Sequence, residues 1–550
     1  MLEGFIPWPE EFVRRYRERG YWEDITLAAM LQRSIDRHRA KEALVCGARR
    51  VSYRELGERV DRLAYGLARS GFRPHDRIVL QLHNIPEFVY AYFAMVKIGV
   101  IPILALRAHR HTEAKHFIQR SGACGYLIPD VIGEFDYRLM AREIAPECPT
   151  LKQVLVAGEP TAGQLAIGPL LEAEVTPAAL REVLEPLRPD PADVALMLLS
   201  GGTTALPKLI PRTHNDYVYN AKASARVAGF DAGTVLMVIL PLGHNYNLAS
   251  PGIQGAFTYG GKVVLAPAGD LDTVFSLVEK EKVTVIAAAV PLIANWMNRW
   301  TSGRYDTSTL RVVQNGGARL APELRRRLRE NLGCIPQEIY GTAEGLLNMT
   351  RLDDSEEHLL ESSGAPVCQD DEIKVLGEDG RELADGEMGE LVTRGPYTIR
   401  GYYAAAETNR AAFTADGFYR MGDLVKKRGR YVYTEGRRKD LINRGGEKIS
   451  CDEVENYIFG HPKVQNVCVV AMPDEVFGEK ACAFVIAKPG ATLDFDELIR
   501  FLRQQNFAKF KLPERLEVVT EFPMSPAGKI LRRQLKQIIA DKLRSERTRA

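Results

Sequence analysis

The sequence predicts an α/β protein with a large N-terminal part of parallel sheets and helices and a small C-terminal α+β part. Helix-like and strand-like segments alternate, as where the apolar helical spacing of Tyr53–Ser70 precedes the strand-like run Arg77–Leu82. Such alternation is typical of parallel sheets covered by helices on both faces. The chain has 550 residues, and a single core stops growing at roughly 250–300 residues, so more than one domain is expected.

Further apolar runs follow the same pattern. Strands are expected at Val283–Val290 and Val312–Gly316, each after a helix. The run Phe88–Leu106 is long enough to span a bilayer, but Gly99 and Pro102 divide it. We therefore expect an apolar helix that ends near Gly99, then a short buried strand, and no membrane segment.

The pattern changes towards the C-terminus. Short runs separated by turn pairs predict antiparallel strands at Asp371–Leu376, Gly389–Thr393 and Tyr431–Thr434, which we expect to form a small β-barrel-like part. We expect a domain boundary near Arg437–Lys439, which divides the chain into residues 1–436 and 437–550. A compact α/β pattern follows, with helix Asp452–Gly460, strands Val467–Met472 and Ala481–Ala487, helix Phe495–Gln504, strand Arg515–Val519 and a terminal basic helix.

The composition indicates small-molecule chemistry in the cytoplasm. Lys and Arg number 73 and Asp and Glu 71, a formal net charge of +2 with no long run of one sign, so no nucleic-acid or membrane partner is expected. The 8 cysteines show no CxxC or other short ligand spacing, which argues against a zinc site or a disulfide framework. The N-terminus carries Glu, Pro and Arg where an export signal needs an apolar core.

A Gly/Thr-rich loop follows the apolar strand Val194–Leu199. Its sequence, LSGGTTALPK over residues 199–208, offers backbone amides, hydroxyls and one ammonium group, the donors that a polyphosphate needs. A Walker P-loop is disfavoured because Pro207 precedes the lysine and Leu209 follows it. The candidate nucleotide-binding residues are Ser200, Gly201, Gly202, Thr203, Thr204 and Lys208.

Six segments, in order along the chain, resemble the motifs of the adenylate-forming enzymes, a family that includes acyl-CoA synthetases, amino-acid adenylation domains and beetle luciferases. The segments are LSGGTTALPK, QNGGARL (314–320), YGTAEG (340–345), GELVTRGP (389–396), GFYRMGDL (417–424) with GRRKDLINRGGEKIS (436–450), and PMSPAGKILR (523–532). The resemblance implies that a carboxylate attacks the α-phosphate of ATP, that pyrophosphate leaves, and that the acyl group then passes to a thiol.

The resemblance also implies a role for each matching residue. Glu344 matches the Mg²⁺-associated carboxylate, Asp423 the carboxylate that binds the ribose hydroxyls, and Lys529 the catalytic lysine of adenylation. Because Lys529 lies in the last domain, the two domains must close to bring it to the reacting oxygens. Other nucleotide contacts are implied for Gly316, Gly317, Ala318, Tyr340, Gly341, Thr342 and Arg437, with Lys439 at the hinge and the GGEK segment (445–448) serving thioester formation.

The segment LPLGHNYNLASPG indicates which acid is activated. Amino-acid adenylation domains carry an Asp for the substrate ammonium where this chain has Asn245, and an uncharged amide does not offset a buried ammonium. The segment instead resembles the aryl-acid adenylating enzymes of siderophore synthesis, the 2,3-dihydroxybenzoate-AMP ligases and their salicylate relatives. By that resemblance the substrate residues are Asn245 and Ser250 on the ring hydroxyls, Tyr246 on the ring, Leu347 in the pocket wall, and His244 near the carboxylate as a catalytic residue.

Two positions give opposite indications of the ring substitution. Ser250 favours 2,3-dihydroxybenzoate, because its hydroxyl can satisfy the 3-hydroxyl group, whereas Leu347 matches the bulkier side chain of the salicylate enzymes. One methylene is worth only about 1–3 kcal/mol of discrimination. We therefore expect 2,3-dihydroxybenzoate, with salicylate as the alternative.

The thiol acceptor is expected to be the phosphopantetheine of a separate aryl carrier protein, since no carrier attachment motif follows Lys529. Coenzyme A as acceptor, which would make the chain an aryl- or acyl-CoA ligase, stays open. An ATPase or nucleotide-binding regulator would instead release ADP, and a luciferase-like monooxygenase would emit light.

Overall fold

The structure is a computed structural model that describes residues 2–200, 207–437, 440–445, 447–505, 509–525 and 529–549. The strands, in chain order, are β1 Glu42–Cys46, β2 Arg49–Ser52, β3 Arg77–Leu80, β4 Ile101–Leu104, β5 Gly125–Pro129, β6 Val131–Ile132, β7 Phe135–Asp136, β8 Gln153–Ala157, β9 Leu165–Ala166, β10 Val194–Leu199, β11 Leu209–Thr213, β12 Val235–Val238, β13 Lys262–Leu265, β14 Val285–Ala288, β15 Val312–Gly316, β16 Ile335–Thr342, β17 Gly345–Met349, β18 Ala365–Pro366, β19 Glu372–Leu376, β20 Met388–Arg394, β21 Tyr419–Arg428, β22 Tyr431–Arg437, β23 Ile442–Arg444, β24 Glu447–Ile449, β25 Val464–Asp474, β26 Gly478–Ala487 and β27 Arg515–Val518.

The helices, in chain order, are α1 Glu10–Glu18, α2 Leu27–His38, α3 Tyr53–Arg69, α4 Pro86–Lys97, α5 His111–Ser121, α6 Tyr137–Ile144, α7 Gly168–Glu172, α8 Pro177–Leu184, α9 His214–Val227, α10 Asn245–Ala249, α11 Gly252–Thr258, α12 Leu271–Glu281, α13 Val290–Arg299, α14 Pro322–Leu332, α15 Glu356–Glu361, α16 Ala406–Ala412, α17 Cys451–Phe459, α18 Phe495–Gln504 and α19 Arg532–Arg549.

Two sheets with parallel centres form the large N-terminal body. In the first sheet the strand order is β18–β17–β16–β15–β14–β12–β13–β1–β2, and the strands from β16 to β1 are parallel. In the second sheet the order is β11–β10–β4–β3–β5–β8–β9, and β11 is antiparallel to β10. Parallel neighbours need crossover connections, which are mostly helices and cover the sheet faces. The predicted parallel α/β architecture is confirmed, and it consists of two sheets.

Helices α3 and α4 illustrate how the local sequence sets the fold. Ser52 caps α3 by accepting a hydrogen bond from the N–H of Glu55, and the apolar residues of α3 recur at helical spacing on its buried face. Helix α4 has Pro86 in its first turn and is buried along nearly its whole length up to Lys97. The apolar run therefore divides into a helix and strand β4, as predicted. Among the described residues, no helix is long and apolar enough to cross a membrane.

The C-terminal part of the chain forms its own sheet and core. Before it, strands β19–β20–β21–β22 make an antiparallel sheet, in which β19, β20 and β22 coincide with the three predicted runs and β21 was not predicted. The C-terminal strands follow the order β24–β23–β26–β25, with β27 parallel to β26, and cover a hydrophobic cluster between Ile442 and Leu512. The elements predicted between 452 and 519 occur within three residues of their expected bounds. The boundary at 436/437 stays a prediction.

A buried ion pair connects helix α14 to strand β16 of the first sheet. The side chains of Arg325 in α14 and Glu338 in β16 are 1% and 3% exposed, and their charged atoms are 2.9 Å apart. Asn315 Nδ2 donates to the Glu338 carboxylate at 3.0 Å and to the Ala318 carbonyl at 2.7 Å. The pair and the amide together hold the turn after β15 against β16.

We expect Arg325→Ala to lower the free energy of unfolding by about 3–5 kcal/mol, because it leaves the Glu338 carboxylate buried without its cation. Denaturant unfolding followed by circular dichroism measures the effect. The matched control is Arg326→Ala, since the Arg326 side chain is 46% exposed and pairs with Glu323 at the surface, at 3.4 Å. The control should lose no more than about 1 kcal/mol. Equal losses in the two variants would contradict a special contribution of the buried pair.

Candidate active site

The candidate site lies at the carboxyl ends of parallel strands. β15 ends at Gly316 and its parallel neighbour β16 ends at Thr342, while β10 of the second sheet ends at Leu199. In open α/β sheets the ligand crevice lies outside this edge. The phosphate loop and the two predicted nucleotide turns are therefore at the edge where such folds bind ligands.

The phosphate loop is closed at its base by two reciprocal hydrogen bonds. The N–H of Ser200 donates to the Lys208 carbonyl at 3.0 Å, and the N–H of Lys208 donates to Ser200 Oγ at 2.9 Å. The Lys208 ammonium lies 4.2 Å from the ring centroid of Tyr402, within the range of a cation–π contact. The predicted loop residues Gly201, Gly202, Thr203 and Thr204 lie outside the described residues.

Tyr402 connects this lysine to Glu344. The Tyr402 hydroxyl donates to Glu344 Oε1 at 2.7 Å, and Glu344 is buried, at 7% exposure, although an isolated Glu in a turn is usually exposed. The Glu344 carbonyl accepts from the N–H of Ile399 at 2.8 Å, which ties the turn to the neighbouring loop. No motif marks Tyr402 in the sequence, so sequence reasoning missed it.

Glu344 is suited to a magnesium ion that a nucleotide brings with it. In the described part of the chain, no group of three or more His, Cys, Asp or Glu side chains could hold a metal by itself. Mg²⁺ typically binds one or two carboxylates together with substrate phosphates and waters, so a single buried carboxylate beside a phosphate loop fits it.

Three glycines of the nucleotide turns make room for neighbouring groups. A Cβ added to Gly316 would lie 3.0–3.2 Å from ring carbons of Tyr246, so the ring packs directly on the backbone. Gly317 has φ +89°, a conformation that favours glycine, and a Cβ there would lie 3.3 Å from Lys529 Cε. A Cβ on Gly341 would collide with the Leu346 carbonyl oxygen. The turn after β15 thus contacts both the predicted acid pocket and the predicted catalytic lysine.

Asp423 is held between a tyrosine and an arginine. Tyr340 OH donates to Asp423 Oδ2 at 2.8 Å, and Arg437 Nε lies 3.1 Å from Oδ1, where the two residues face each other across β21 and β22. Burial raises the pKa of Asp423, and the positive charge of Arg437 opposes that rise. Two residues after Tyr340, at the end of β16, Thr342 Oγ1 donates to the Gly345 carbonyl at 2.9 Å.

Lys529 belongs to the C-terminal part of the chain, and its side chain lies against the turn after β15. Its backbone N–H donates to Ser525 Oγ at 3.0 Å, and its carbonyl accepts from the N–H of Ser525 at 2.7 Å. The side chain keeps solvent-exposed surface, yet the surrounding protein displaces enough water to lower its pKa, and the charge of Arg437 lowers it further. Asp423 and Glu344 act in the opposite direction. Residues far apart in the sequence are therefore within electrostatic reach of one another. Lys439 lies outside the described residues.

His244 begins the short helix α10 as its N-cap. Its Nδ1 accepts a hydrogen bond from the N–H of Tyr246 at 3.2 Å. Burial, reinforced by the charge of Lys529, lowers the pKa of His244 to about 4. The imidazole is therefore neutral at physiological pH, and because Nδ1 accepts, the ring hydrogen is on Nε2. His244 thus offers a hydrogen-bond donor.

The predicted acid pocket is built from buried neutral polar groups. Asn245 and Ser250 are 7% and 2% exposed, and Asn245 Nδ2 donates to Ser250 Oγ at 3.1 Å. Tyr217 of helix α9 donates to Asn245 Oδ1 at 2.7 Å. Tyr217 was not singled out from the sequence, although it lies in the segment that resembles the aryl-acid enzymes.

Leu347 lies on β17, opposite Gly341, in an aromatic cluster that includes Tyr219 and Tyr397. The N–H of Leu347 donates to Tyr397 OH at 3.2 Å, and Tyr397 OH donates to Asp371 at 2.5 Å. Asp371 is fully surrounded by protein, and burial raises its pKa to about 7. This support of the Leu347 backbone was also missed, because it joins separate sequence regions.

Comparison with known proteins places these observations in a family. The family model of the AMP-binding enzymes matches residues 31–403, and that of the AMP-binding enzyme C-terminal domain matches residues 453–529. The chain is 44% identical to a 2,3-dihydroxybenzoate-AMP ligase of Bacillus subtilis, with 99% of each protein covered. It is 45% identical to a salicylyl-CoA synthase / salicylate adenylyltransferase of a Streptomyces species, with 98% of each covered.

A solved structure agrees with the same assignment. The apo structure of MbtA from Mycobacterium smegmatis matches with a TM-score of 0.74 and 38% identity, over 97% of this chain and 98% of that one. The fold class and the family resemblance inferred from six motifs are confirmed. The chain belongs to the AMP-binding enzymes and is an adenylate-forming ligase.

Proposed function

We propose that this ligase activates 2,3-dihydroxybenzoate with ATP, releases pyrophosphate, and transfers the aryl group to the phosphopantetheine thiol of a separate aryl carrier protein in siderophore synthesis. The observation that carries the proposal is the contact of Tyr246 with Gly316. It joins a buried pocket of neutral polar groups, Asn245 and Ser250, to the turn predicted to hold adenine. A ring acid in that pocket would therefore lie beside the nucleotide.

Adenylation requires two anions, a carboxylate and a triphosphate, to approach each other. Bound Mg²⁺ would neutralise phosphate charge, and Glu344, fixed by Tyr402, is the residue that would hold it. Lys208 attracts the phosphates from the loop side. In its protonated form Lys529 stabilises charge that develops on the α-phosphate oxygens, and His244 Nε2–H donates to an oxygen of the acid without changing its own charge.

Nucleotide binding rests on the buried carboxylate of Asp423. One carboxylate can accept two hydrogen bonds from the vicinal ribose hydroxyls. Tyr340 and Arg437 hold its two oxygens in place before the nucleotide arrives. The proposed location is the cytoplasm, and it is supported by the 8 cysteines, all of which are free thiols in the structure.

Salicylate is the second candidate for the acid, because the Leu347 side chain takes up pocket space that a dihydroxylated ring would need. Coenzyme A is the second candidate for the thiol. Incubation of the adenylate with coenzyme A and, separately, with a phosphopantetheinylated aryl carrier protein, followed by measurement of AMP release, distinguishes the two acceptors.

The function is tested by acid-dependent exchange of labelled pyrophosphate into ATP, with Mg²⁺ and a panel of 2,3-dihydroxybenzoate, salicylate, benzoate, 3-hydroxypicolinate and phenylalanine. We expect the hydroxylated ring acids to give the highest kcat/KM and phenylalanine to give none. Release of ADP instead of AMP, or failure of every acid to support exchange, would refute the proposal.

Asp423→Asn should raise the KM for ATP by roughly 10- to 100-fold, the equivalent of a lost charged hydrogen bond of about 1.5–3 kcal/mol. An amide presents one acceptor oxygen instead of two, and it leaves the Arg437 charge unpaired. Exchange rates at varied ATP measure the effect. The control is Asp416→Asn, whose side chain is 57% exposed and pairs with Lys374 at the surface. An unchanged KM in Asp423→Asn would remove the ribose assignment.

Lys529→Ala should lower the exchange rate by roughly 100- to 1000-fold, as loss of one transition-state donor does elsewhere. Because burial lowers the pKa of Lys529 below its ordinary 10.5, the active protonated form is lost as pH rises through that lowered pKa. The wild-type rate should therefore fall at alkaline pH, below 10.5.

Lys529→Arg should lack this alkaline fall, since a guanidinium stays charged. The control is Lys542→Ala, which removes an exposed lysine of the same domain. An alkaline fall of the same position in wild type and Lys529→Arg would show that another group titrates.

Leu347→Val should raise the ratio of kcat/KM for 2,3-dihydroxybenzoate over that for salicylate by roughly 10-fold, because one methylene less leaves room for the 3-hydroxyl. The exchange assay with each acid measures the ratio. Leu391→Val, which shortens a buried leucine in the antiparallel sheet, is the control. If both variants leave the ratio as in wild type, Leu347 does not limit the pocket.

A further inference from the structure

The direction of the Asn245 amide decides what the acid pocket can recognise. An amide has an oxygen that only accepts hydrogen bonds and a nitrogen that only donates them, and a half-turn of the side chain exchanges the two. Asn245 is buried, so the partner of each atom determines which of them is left for a ligand. Among the described residues, two form hydrogen bonds with the side-chain amide: Tyr217 at Oδ1 and Ser250 at Nδ2.

Tyr217 contacts the amide as a donor. Its side chain is completely buried, and burial raises the pKa of its hydroxyl well above the ordinary value, so the hydroxyl stays protonated. The neighbouring charges largely cancel, because the Arg212 guanidinium, 4.8 Å from the Tyr217 ring centroid, is paired with Asp216 at 2.7 Å. The hydrogen of Tyr217 points to Asn245 Oδ1 over 2.7 Å. This bond occupies the amide oxygen and turns Nδ2 towards Ser250.

The part of the Asn245 amide that is left for a ligand is a donor, the second hydrogen of Nδ2. Asn245 Nδ2 uses one of its hydrogens on Ser250 Oγ, at 3.1 Å. Within the described residues, its second hydrogen and the hydroxyl hydrogen of Ser250 have no protein acceptor. A ligand atom that approaches the Asn245 amide must therefore accept a hydrogen bond, whereas Ser250 Oγ has one lone pair left and can also accept one.

We propose that Tyr217 is a positioning residue that fixes the Asn245 amide with its N–H towards the ligand, so that the pocket selects a ring acid with an oxygen, and not a nitrogen, next to the carboxylate. The inference rests on the proposed function. In a 2-hydroxybenzoate the phenolic hydrogen bonds to the adjacent carboxylate, which leaves the lone pairs of the oxygen for Asn245 and Ser250. In a 2-aminobenzoate one N–H remains directed outward and would face the Asn245 N–H, and the nitrogen lone pair is delocalised into the ring.

The test compares 2-hydroxybenzoate with 2-aminobenzoate, two acids of nearly equal shape, in the pyrophosphate exchange assay. We expect wild type to prefer the hydroxy acid by at least roughly 10-fold in kcat/KM, the equivalent of one buried donor left unpaired. Tyr217→Phe removes the hydroxyl that donates to Asn245 Oδ1, so the Asn245 amide can turn by half a turn and present its oxygen to the ligand. The preference should then fall by roughly 10-fold, mainly through a higher KM for 2-hydroxybenzoate and a lower KM for 2-aminobenzoate.

Tyr126→Phe is the matched control. Tyr126 is also completely buried and donates to an amide oxygen, that of Gln81, but it lies in the second sheet, in β5. It should lose comparable stability and keep the wild-type preference. A preference that is unchanged in Tyr217→Phe, or that falls equally in Tyr126→Phe, would overturn the inference.

A second variant reads the same property if Tyr217→Phe does not fold. Asn245→Asp replaces the donor nitrogen by an acceptor oxygen with nearly the same shape. We expect it to favour 2-aminobenzoate over 2-hydroxybenzoate, and a retained preference for the hydroxy acid would contradict selection by the Asn245 N–H. If wild type exchanges pyrophosphate with hydroxylated acids but does not discriminate against 2-aminobenzoate, this inference alone is refuted. Wild type that exchanges with no ring acid refutes the proposed function as well.

Discussion

Tyr246 packs so closely on the backbone of Gly316 that the proposed acid pocket and the proposed nucleotide turn share one wall. A ring lying directly against a glycine leaves no space for another side chain between them. On the other side of the same turn, Gly317 is in contact range of Lys529. The proposed acid pocket, the proposed nucleotide turn and the proposed catalytic lysine are thereby brought together at one point. Other contacts of the fold keep that turn in place.

Buried charges provide that support at two levels. Arg325 and Glu338 form a pair beneath the turn after β15, and Asn315 connects the pair to the turn itself. Arg212 pairs with Asp216 and donates to the carbonyl of Ala343, just before Glu344. Buried pairs are poor contributors to stability compared with apolar packing, but they fix directions. In this enzyme they hold backbone carbonyls and amides that a hydrophobic core alone would leave free to shift.

Much of the fold could be predicted from local patterns. The helix Tyr53–Arg69, the split of the run 88–106 and the C-terminal elements all follow from apolar spacing and from capping residues or breakers nearby. Motif residues such as Gly316, Glu344 and Asp423 could also be identified as candidate site residues, because their segments match the motifs of the family in the same order. Tyr402 and Tyr217 could not, since each acts by donating to a residue 58 or 28 positions away. A single sequence carries no trace of such a pairing.

The residue types present in this chain indicate its chemistry in outline: amide and hydroxyl donors after an apolar strand suit a phosphate, a neutral amide does not offset the charge of an ammonium, and alternating helices and strands predict parallel sheets. These are properties of single residues and short segments, so they can be recognised in the sequence before the fold is known. Burial and direction are different. The neutral state of His244, the lowered pKa of Lys529 and the orientation of the Asn245 amide arise only when distant segments exclude water and supply partners. They belong to the folded molecule because desolvation and hydrogen-bond geometry depend on what surrounds a group, and the neighbours along the chain do not determine those surroundings.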